Sequence, residues 1–246
     1  MEAIWLAAAF LVIALVYSAV GQAGASGYLA VMALAGFAPP AMKTTALALN
    51  LLVAAIGTSL FLRAGRLSWR NVWPFAVLGF PFSLLGGAIQ LPEGFYYPVV
   101  GAVLVLSAIQ MARTAVLKRV VPAEPQVTPP VLASLATGAI IGFVSGTTGT
   151  GGGVFLAPVI LAMNWGTPRQ TAATTAVYNL VNSGAALIGA HAWWEQMPAA
   201  LPWWLAAVAA GGSIGAFAGS RYLSDRWLRG ILALLLLASG LKLLWQ

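Results

Sequence analysis

Apolar residues run in blocks along the whole chain, roughly 3–37, 41–62, 72–91, 95–117, 131–163, 170–190, 199–220 and 227–245. Most are near the ~20 residues that cross a bilayer as a helix. The first and fifth are too long. About 33 residues of unbroken helix would run ~50 Å, well beyond a ~30 Å hydrocarbon core. Each long block carries a glycine-rich interruption near its middle: Gly21-Gln-Ala-Gly-Ala-Ser-Gly27 in the first, Gly146-Thr-Thr-Gly-Thr-Gly-Gly-Gly153 in the fifth. Glycine breaks a helix, and broken backbone at membrane depth must be covered by protein or line a cavity. Paired interruptions at corresponding places in two halves point to a transporter's substrate site.

The pattern predicts an all-α polytopic membrane protein. Its fold is two inverted repeats, each a Gly-broken, re-entrant helical hairpin followed by three transmembrane helices. Lys and Arg placement favours re-entry at 131–163 over crossing. With a re-entrant fifth block, the loop of Arg221, Arg226 and Arg229 shares a side with Arg63, Arg66 and Arg70. Arg113, Lys118, Arg119 and Arg169 join them, and only Lys43 and Lys242 lie outside. A crossing block would split the charges far less cleanly. Symmetry then predicts a matching hairpin at 3–37 entering from outside. One hairpin plus three spans is an odd number of crossings, which inverts the second half. Trp193, Trp194, Trp203 and Trp204 fall at the outer interface of this topology, and Trp69, Trp73 and Trp227 at the inner one. The expected setting is a bacterial inner membrane, with both termini periplasmic.

The halves align beyond the glycines. Gly21 and Gly24 match Gly146 and Gly149, and Gly27 matches Gly152. Thr44-Thr45-Ala46 with Asn50 resembles Thr174-Thr175-Ala176 with Asn179, and Ser83 with Gly86-Gly87 echoes Ser213 with Gly215. The offset of ~125–130 residues is half the chain. The predicted division is an N-terminal repeat at 1–119, a Pro-rich cytoplasmic linker at 120–130 and a C-terminal repeat at 131–246.

Composition agrees. The chain of 246 residues is 61% hydrophobic and 7% charged, where a soluble domain carries roughly 25% charge. It has no cysteine, which removes disulfides, thiolate catalysis and Cys–metal sites. The first apolar block follows Met1-Glu2 without a basic stretch, and reads as mature sequence and not a cleaved leader. The net charge of +7 is dispersed over short loops, so it reports membrane orientation, and nucleic acid is not an expected partner. The expected partners are the lipid bilayer and a small anionic substrate; a homodimer is compatible with the sequence.

The chemistry centres on the second glycine-rich loop. A helix restarts at Val154-Phe155-Leu156, and the N–H groups at a helix start lack intrahelical partners and carry the positive dipole end. Glycines let backbone approach a ligand closely. Gly149, Gly151, Gly152 and Gly153, with hydroxyls from Thr147, Thr148 and Thr150, suit an oxyanion held without a formal cation. Close helix packing through small residues is the alternative reading. The first loop offers Gln22, Gly24, Ser26 and Gly27 in the same role. Thr45, Asn50, Thr175, Tyr178, Asn179 and Asn182 lie on the helices after the hairpins, where they form either a polar cavity wall or interhelical hydrogen bonds. No Gly-Lys-Ser/Thr follows the glycines, so this is no nucleotide-binding loop. Glu2, Glu93, Glu124, Glu195 and Asp225 all fall at loops or ends, which argues against a carboxylate proton relay. A single histidine, His191, cannot make a two-histidine metal site, so no cofactor and no metal are expected.

The glycine-rich hairpins and the duplication resemble the TauE/SafE family of sulfite exporters, also called the toluene-sulfonate uptake permease family. The match runs through Gly142-x-x-Ser145-Gly146-x-x-Gly149-x-Gly151-Gly152-Gly153, Pro158 and the Thr171–Asn179 stretch, with a weaker copy in Gly21, Gly24, Gly27 and Thr44-Thr45. It covers essentially the whole chain. It implies transport of a small sulfur oxyanion or organosulfonate, such as sulfite, sulfoacetate or a taurine-derived product. Alternating access about the two halves would carry the anion between the hairpin tips. Two other classes compete. Gly24-Ala25-Ser26-Gly27 superficially matches an intramembrane serine protease, which needs a base near Ser26; the third is a non-transporting membrane scaffold.

Overall fold

The computed structural model describes residues 2–19, 21–65, 67–116, 129–222 and 225–245, and these are helical throughout apart from short connections. The helices are α1 (Glu2–Ala19), α2 (Ala25–Leu34), α3 (Pro39–Arg63), α4 (Trp69–Ala88), α5 (Glu93–Val116), α6 (Val131–Thr148), α7 (Gly153–Ala162), α8 (Pro168–Gly189), α9 (Leu201–Tyr222) and α10 (Asp225–Leu244), with a 3₁₀ turn at His191–Gln196. The eight apolar blocks become these helices, and both long blocks break at their glycines. Of the described residues, Pro39–Arg63, Trp69–Ala88, Glu93–Arg113 and Val131–Thr148 are each long and apolar enough to cross a bilayer. Large apolar side chains such as Phe95, Leu132, Ile140, Phe217 and Leu234 stand exposed on the perimeter, where lipid would cover them. The predicted linker, 120–130, lies outside the described residues but for its last two, as do Arg66, Lys118 and Arg119; the side chains of Arg221, Arg226 and Arg229 are likewise outside the description.

Small residues set the helix directions. Gly138, Gly142 and Gly146 of α6 lie against the backbones of Phe75, Gly79 and Ser83 of α4, in that order, so the two helices are parallel. Gly211 and Gly215 of α9 lie in the same way on the carbonyls of Leu11 and Leu15 of α1. None of these glycines has room for a Cβ. α4 and α8 also run parallel, with Gly79 facing Tyr178, Ser83 bonding Asn182 and Gly87 facing Ala186, whereas α3–α8 and α5–α10 run antiparallel: Gly57 of α3 faces Ala176 of α8 while Asn50 bonds Ser183, and Gly101 of α5 faces Leu243 and Leu244 of α10 while Gly240 faces Val105.

These contacts fix the two ends of the bundle. Asn71, Pro129, Trp165 and Gln170 surround one small pocket, so α4, α6 and α8 begin together where α7 ends. This is the linker end. At the opposite, terminal end, Lys242 Nζ of α10 donates to Ala33 O and Leu34 O of α2 at 3.2 and 3.1 Å. Phe37 and Phe10 both pack on Trp204 there, with ring centroids 6.1 and 5.2 Å away.

The packing survives exchange of the halves. With α1–α5 matched to α6–α10, α6 on α4 becomes α1 on α9, and α8 on α4 becomes α3 on α9. The pairs α3–α8 and α5–α10 map onto themselves.

The breaks explain the glycines. α6 runs almost the length of the bundle. Its last carbonyl, Thr148 O, accepts the Tyr96 hydroxyl at 3.0 Å, and Gly149 lies against the backbone of Lys43 near the start of α3. The chain then drops along α3 until Gly151 lies against Asn50 and Asn179. At mid-bundle α7 begins and returns to the linker end, where Trp165 lies 6.2 Å from Phe75. Gly149 (φ 86°) ends α6 and Gly152 (φ 81°) precedes α7 in the left-handed region, where a Cβ costs about 1–2 kcal/mol. In the first half Gly21 (φ 78°) and Gly24 (φ 98°) take these places. By backbone conformation Gly21 resembles Gly149 and Gly24 resembles Gly152, three residues on from the expected match of Gly21 with Gly146 and Gly24 with Gly149; Gly146 itself packs on α4.

Candidate functional site

The starts of α2 and α7 meet at mid-bundle from opposite sides. Each is capped by an asparagine from a long helix. Asn50 Oδ1 of α3 accepts Ala25 N–H at 3.0 Å, and Asn179 Oδ1 of α8 accepts Gly153 N–H at 2.7 Å. Asn50 Nδ2 also donates to Ser183 Oγ at 2.8 Å. A carboxamide facing a helix start satisfies an orphan donor while adding no charge against the dipole.

Beside this junction a cavity of about 230 Å³ opens toward the linker end. Ser18, Gly21, Gln22 and Ala23 form one wall, Val53, Ala54, Gly57 and Phe61 of α3 a second, and Ala176 and Asn179 of α8 with Ala216 and Phe217 of α9 the rest. Ser18 Oγ and Gln22 Oε1 are shielded from solvent without a hydrogen bond. Unpaired polar atoms in a lined space cost free energy unless a ligand or water satisfies them. Among the described residues no cation lines the cavity; Arg63, Arg70, Arg113 and Arg169 are exposed at the linker end beyond it.

The structure distributes the expected residues. The cavity brings together Gln22 and Asn179. Asn50 stands behind them in the capping pair. Thr147 and Thr148 spend their hydroxyl protons inside α6, on Phe143 O at 2.8 Å and Val144 O at 2.7 Å, and Thr148 Oγ lies 3.0 Å from Thr150 Oγ. Thr175 donates to Thr171 O at 2.9 Å, and Tyr178 ties α8 to α6 through Gly138 O at 2.7 Å. Thr45 Oγ and both amide atoms of Asn182 are buried without a hydrogen bond. Gly27 lies against Ile13 and Tyr17. Ser26 Oγ is 2.9 Å from the Tyr17 hydroxyl, while His191 sits exposed in the 3₁₀ turn with Nδ1 3.2 Å from Ile188 O. The base that a serine nucleophile needs is not at Ser26 among the described residues. No group of three His, Cys, Asp or Glu side chains able to hold a metal occurs among them either.

Lys43 is the residue that sequence reasoning used only for sidedness, as one of two cations expected outside. It is 1% exposed, one turn inside α3, with Nζ on the carbonyls of Gly86, Gly87 and Ile89. The signal was its position directly before Thr44-Thr45 and seven residues before Asn50, on the helix that carries the cap.

Comparison with known proteins agrees over the whole length. The family model described as "Sulfite exporter TauE/SafE" matches residues 6–243. A probable membrane transporter protein of Sinorhizobium fredii, y4hK, is 69% identical over 244 residues, covering 99% of each chain. No solved structure matches.

Proposed function

The chain belongs to the TauE/SafE sulfite exporter family, a multi-pass membrane transporter family, and on that premise we propose that it moves a small sulfur-containing anion, sulfite or an organosulfonate. The observation that carries this reading is the mid-bundle junction: two helix starts, their Asn50 and Asn179 caps, and a cavity holding Gln22 and Asn179 beside them. Two positive dipole ends favour an anion without a fixed cation. A cavity of about 230 Å³ is below the roughly 300–1,000 Å³ of drug-sized sites, and suits a small oxyanion with its water or a short sulfonate.

The transport cycle is alternating access between inverted repeats. A twofold axis lying across the helices makes a helix paired with its own counterpart antiparallel, and α3–α8 and α5–α10 are both antiparallel. Both hairpins are read as re-entrant, and the return of α7 to the end at which α6 started supports this for the second. The four exposed arginines at the linker end support a cytoplasmic linker and periplasmic termini in a bacterial inner membrane. The symmetry is broken in one respect. On the terminal side Gly87 lies on the backbone of Ala186, and Gly189 on Leu84 and Ala88. On the linker side, Ala216 and Phe217, the counterparts of Gly87 and Ala88, border the cavity instead. This is a conformation open to the cytoplasm and closed to the outside.

The test is thermal unfolding of the purified protein with sulfite, thiosulfate, sulfate, sulfoacetate, taurine and chloride, followed by flux into liposomes. A ligand that binds only the folded state at 100 times its Kd adds about 2.7 kcal/mol of stability. Stabilisation and flux confined to sulfur oxyanions or sulfonates is the expected result. Flux of a cation or neutral solute in their place overturns the reading.

A further inference from the structure

Lys43 is a buried ionisable side chain that the cavity does not use. Its Nζ donates to Gly86 O, Gly87 O and Ile89 O at 3.1, 2.8 and 2.7 Å, at the end of α4, with the Trp193 ring centroid 5.7 Å away. No carboxylate pairs with it among the described residues. An ionisable side chain inside a membrane bundle is expensive and ordinarily marks a substrate path.

Exchange of the halves shows which path. Gly21, Gln22, Val53 and Asn179 line the open cavity. Their counterparts are Gly149, Thr150, Asn182 and Asn50. These lie toward the terminal end, where Gly149 touches the Lys43 backbone. The space is shut there by Gly87 on Ala186 and by Gly86 on Phe143 O and Thr147 N. Asn182 is 0% exposed; its amide lies beside the Tyr178 hydroxyl, but neither amide atom makes a hydrogen bond of good geometry. Its counterpart, Val53, has no polar atom to satisfy. A fully buried, unpaired carboxamide at the mirror position of a cavity wall is a partner awaiting a ligand.

We propose that Lys43 and Asn182 form a second half-site for the same anion, closed in this conformation, with Lys43 as the cation that contacts the anion when the bundle opens at its terminal end. The inference rests on the transport reading above. Separating α4 from α8 draws the Gly86, Gly87 and Ile89 carbonyls away from Nζ and leaves its three N–H groups to an oxyanion. The carbonyls and the anion compete for one ammonium, so the anion stabilises the open state by the affinity it lacks in the closed one. The half-site exists on one side only, because the residue matching Lys43 is Ala172.

The chain has three lysines, Lys43, Lys118 and Lys242, so acylation by an amine-reactive reagent can be mapped by peptide mass spectrometry on the intact protein in liposomes. Slow modification of Lys43, retarded by about tenfold under saturating sulfate, thiosulfate or sulfoacetate and not by chloride, is expected if the anion occupies the half-site. Lys43→Met then lowers flux about tenfold and raises the half-saturating concentration, as loss of a charge-assisted bond requires; Lys43→Arg keeps most of both. Lys43 unmodified while Lys242 reacts, or Lys43→Met with unchanged half-saturation, overturns the half-site and leaves a helix cap. Protection of Lys43 in a protein that moves none of these anions keeps the half-site and overturns the transport reading.

Discussion

Asn50 and Asn179 stand in matching places in the two halves, each accepting the first N–H of the half-helix in its own half, at 3.0 Å from Ala25 and 2.7 Å from Gly153. They are not equivalent in what else they do. Asn50 adds the bond to Ser183, whereas Asn179 faces the cavity.

Stability and transport should therefore rank these residues in opposite orders. Asn50→Ala leaves two buried groups unpaired and Asn179→Ala one, at about 1–3 kcal/mol each. Thermal unfolding in detergent is expected to show Asn50→Ala as the less stable. Anion uptake per folded molecule is expected to fall further in Asn179→Ala. The same order in both assays would remove Asn179 from the binding site.

Gln22 separates folding from binding more sharply. Its Oε1 is shielded and unpaired, so Gln22→Leu removes a polar group that the empty site does not satisfy. The melting temperature should stay level or rise, while uptake falls by about tenfold through loss of the Nε2 donor to the anion. A variant that transports normally would show that the Gln22 amide serves no ligand.

The glycine seam between α4 and α6 predicts a steep contrast. A Cβ at Gly142 falls on the Gly79 carbonyl, while one at Gly94, in the first turn of α5, meets nothing within 4 Å. Gly142→Ala should cost about 1–3 kcal/mol through overpacking, and Gly94→Ala should stay within about 0.5 kcal/mol. Equal melting temperatures for the two variants would contradict the parallel α4–α6 contact.

Gly152→Ala tests the restart of α7. The position has φ 81°, and an added Cβ would lie 3.0 Å from the Tyr178 ring. Strain of about 1–2 kcal/mol is expected, together with loss of uptake, because the Gly153 N–H would shift from Asn179. Wild-type uptake in this variant would detach the loop from function.

The helices were legible because lipid and bundle core both reward unbroken apolar runs, and only glycine at 21–24 and 149–153 interrupts them at depth. The expectation that Arg63, Arg70, Arg113 and Arg169 share one end rested on charge placement between the apolar runs, and all four are exposed at the linker end. The repeat register was not legible. Gly146 packs on α4 and Gly149 turns the chain, and a sequence writes both as the same letter. Thr147 and Thr148 read as ligand donors because a helix end hides where a threonine hydroxyl points; here both turn back onto their own helix. Lys43 was obscured by its place near a helix start, since its partners are carbonyls forty residues away that no pattern announces.

Neither half covers its own hairpin. α1 rests on α9, and α6 rests on α4, so a fragment ending near residue 116 would bare the groove on α4 along Phe75, Gly79 and Ser83. If the repeats are inverted as proposed, two such fragments, released as separate chains, would need to insert in opposite senses and meet through α3–α8 and α5–α10. The covalent join makes that meeting certain and fixes its stoichiometry at one to one. On the inverted-repeat reading proposed above, the single polypeptide is in effect a dual-topology dimer whose subunits have been sewn into one another.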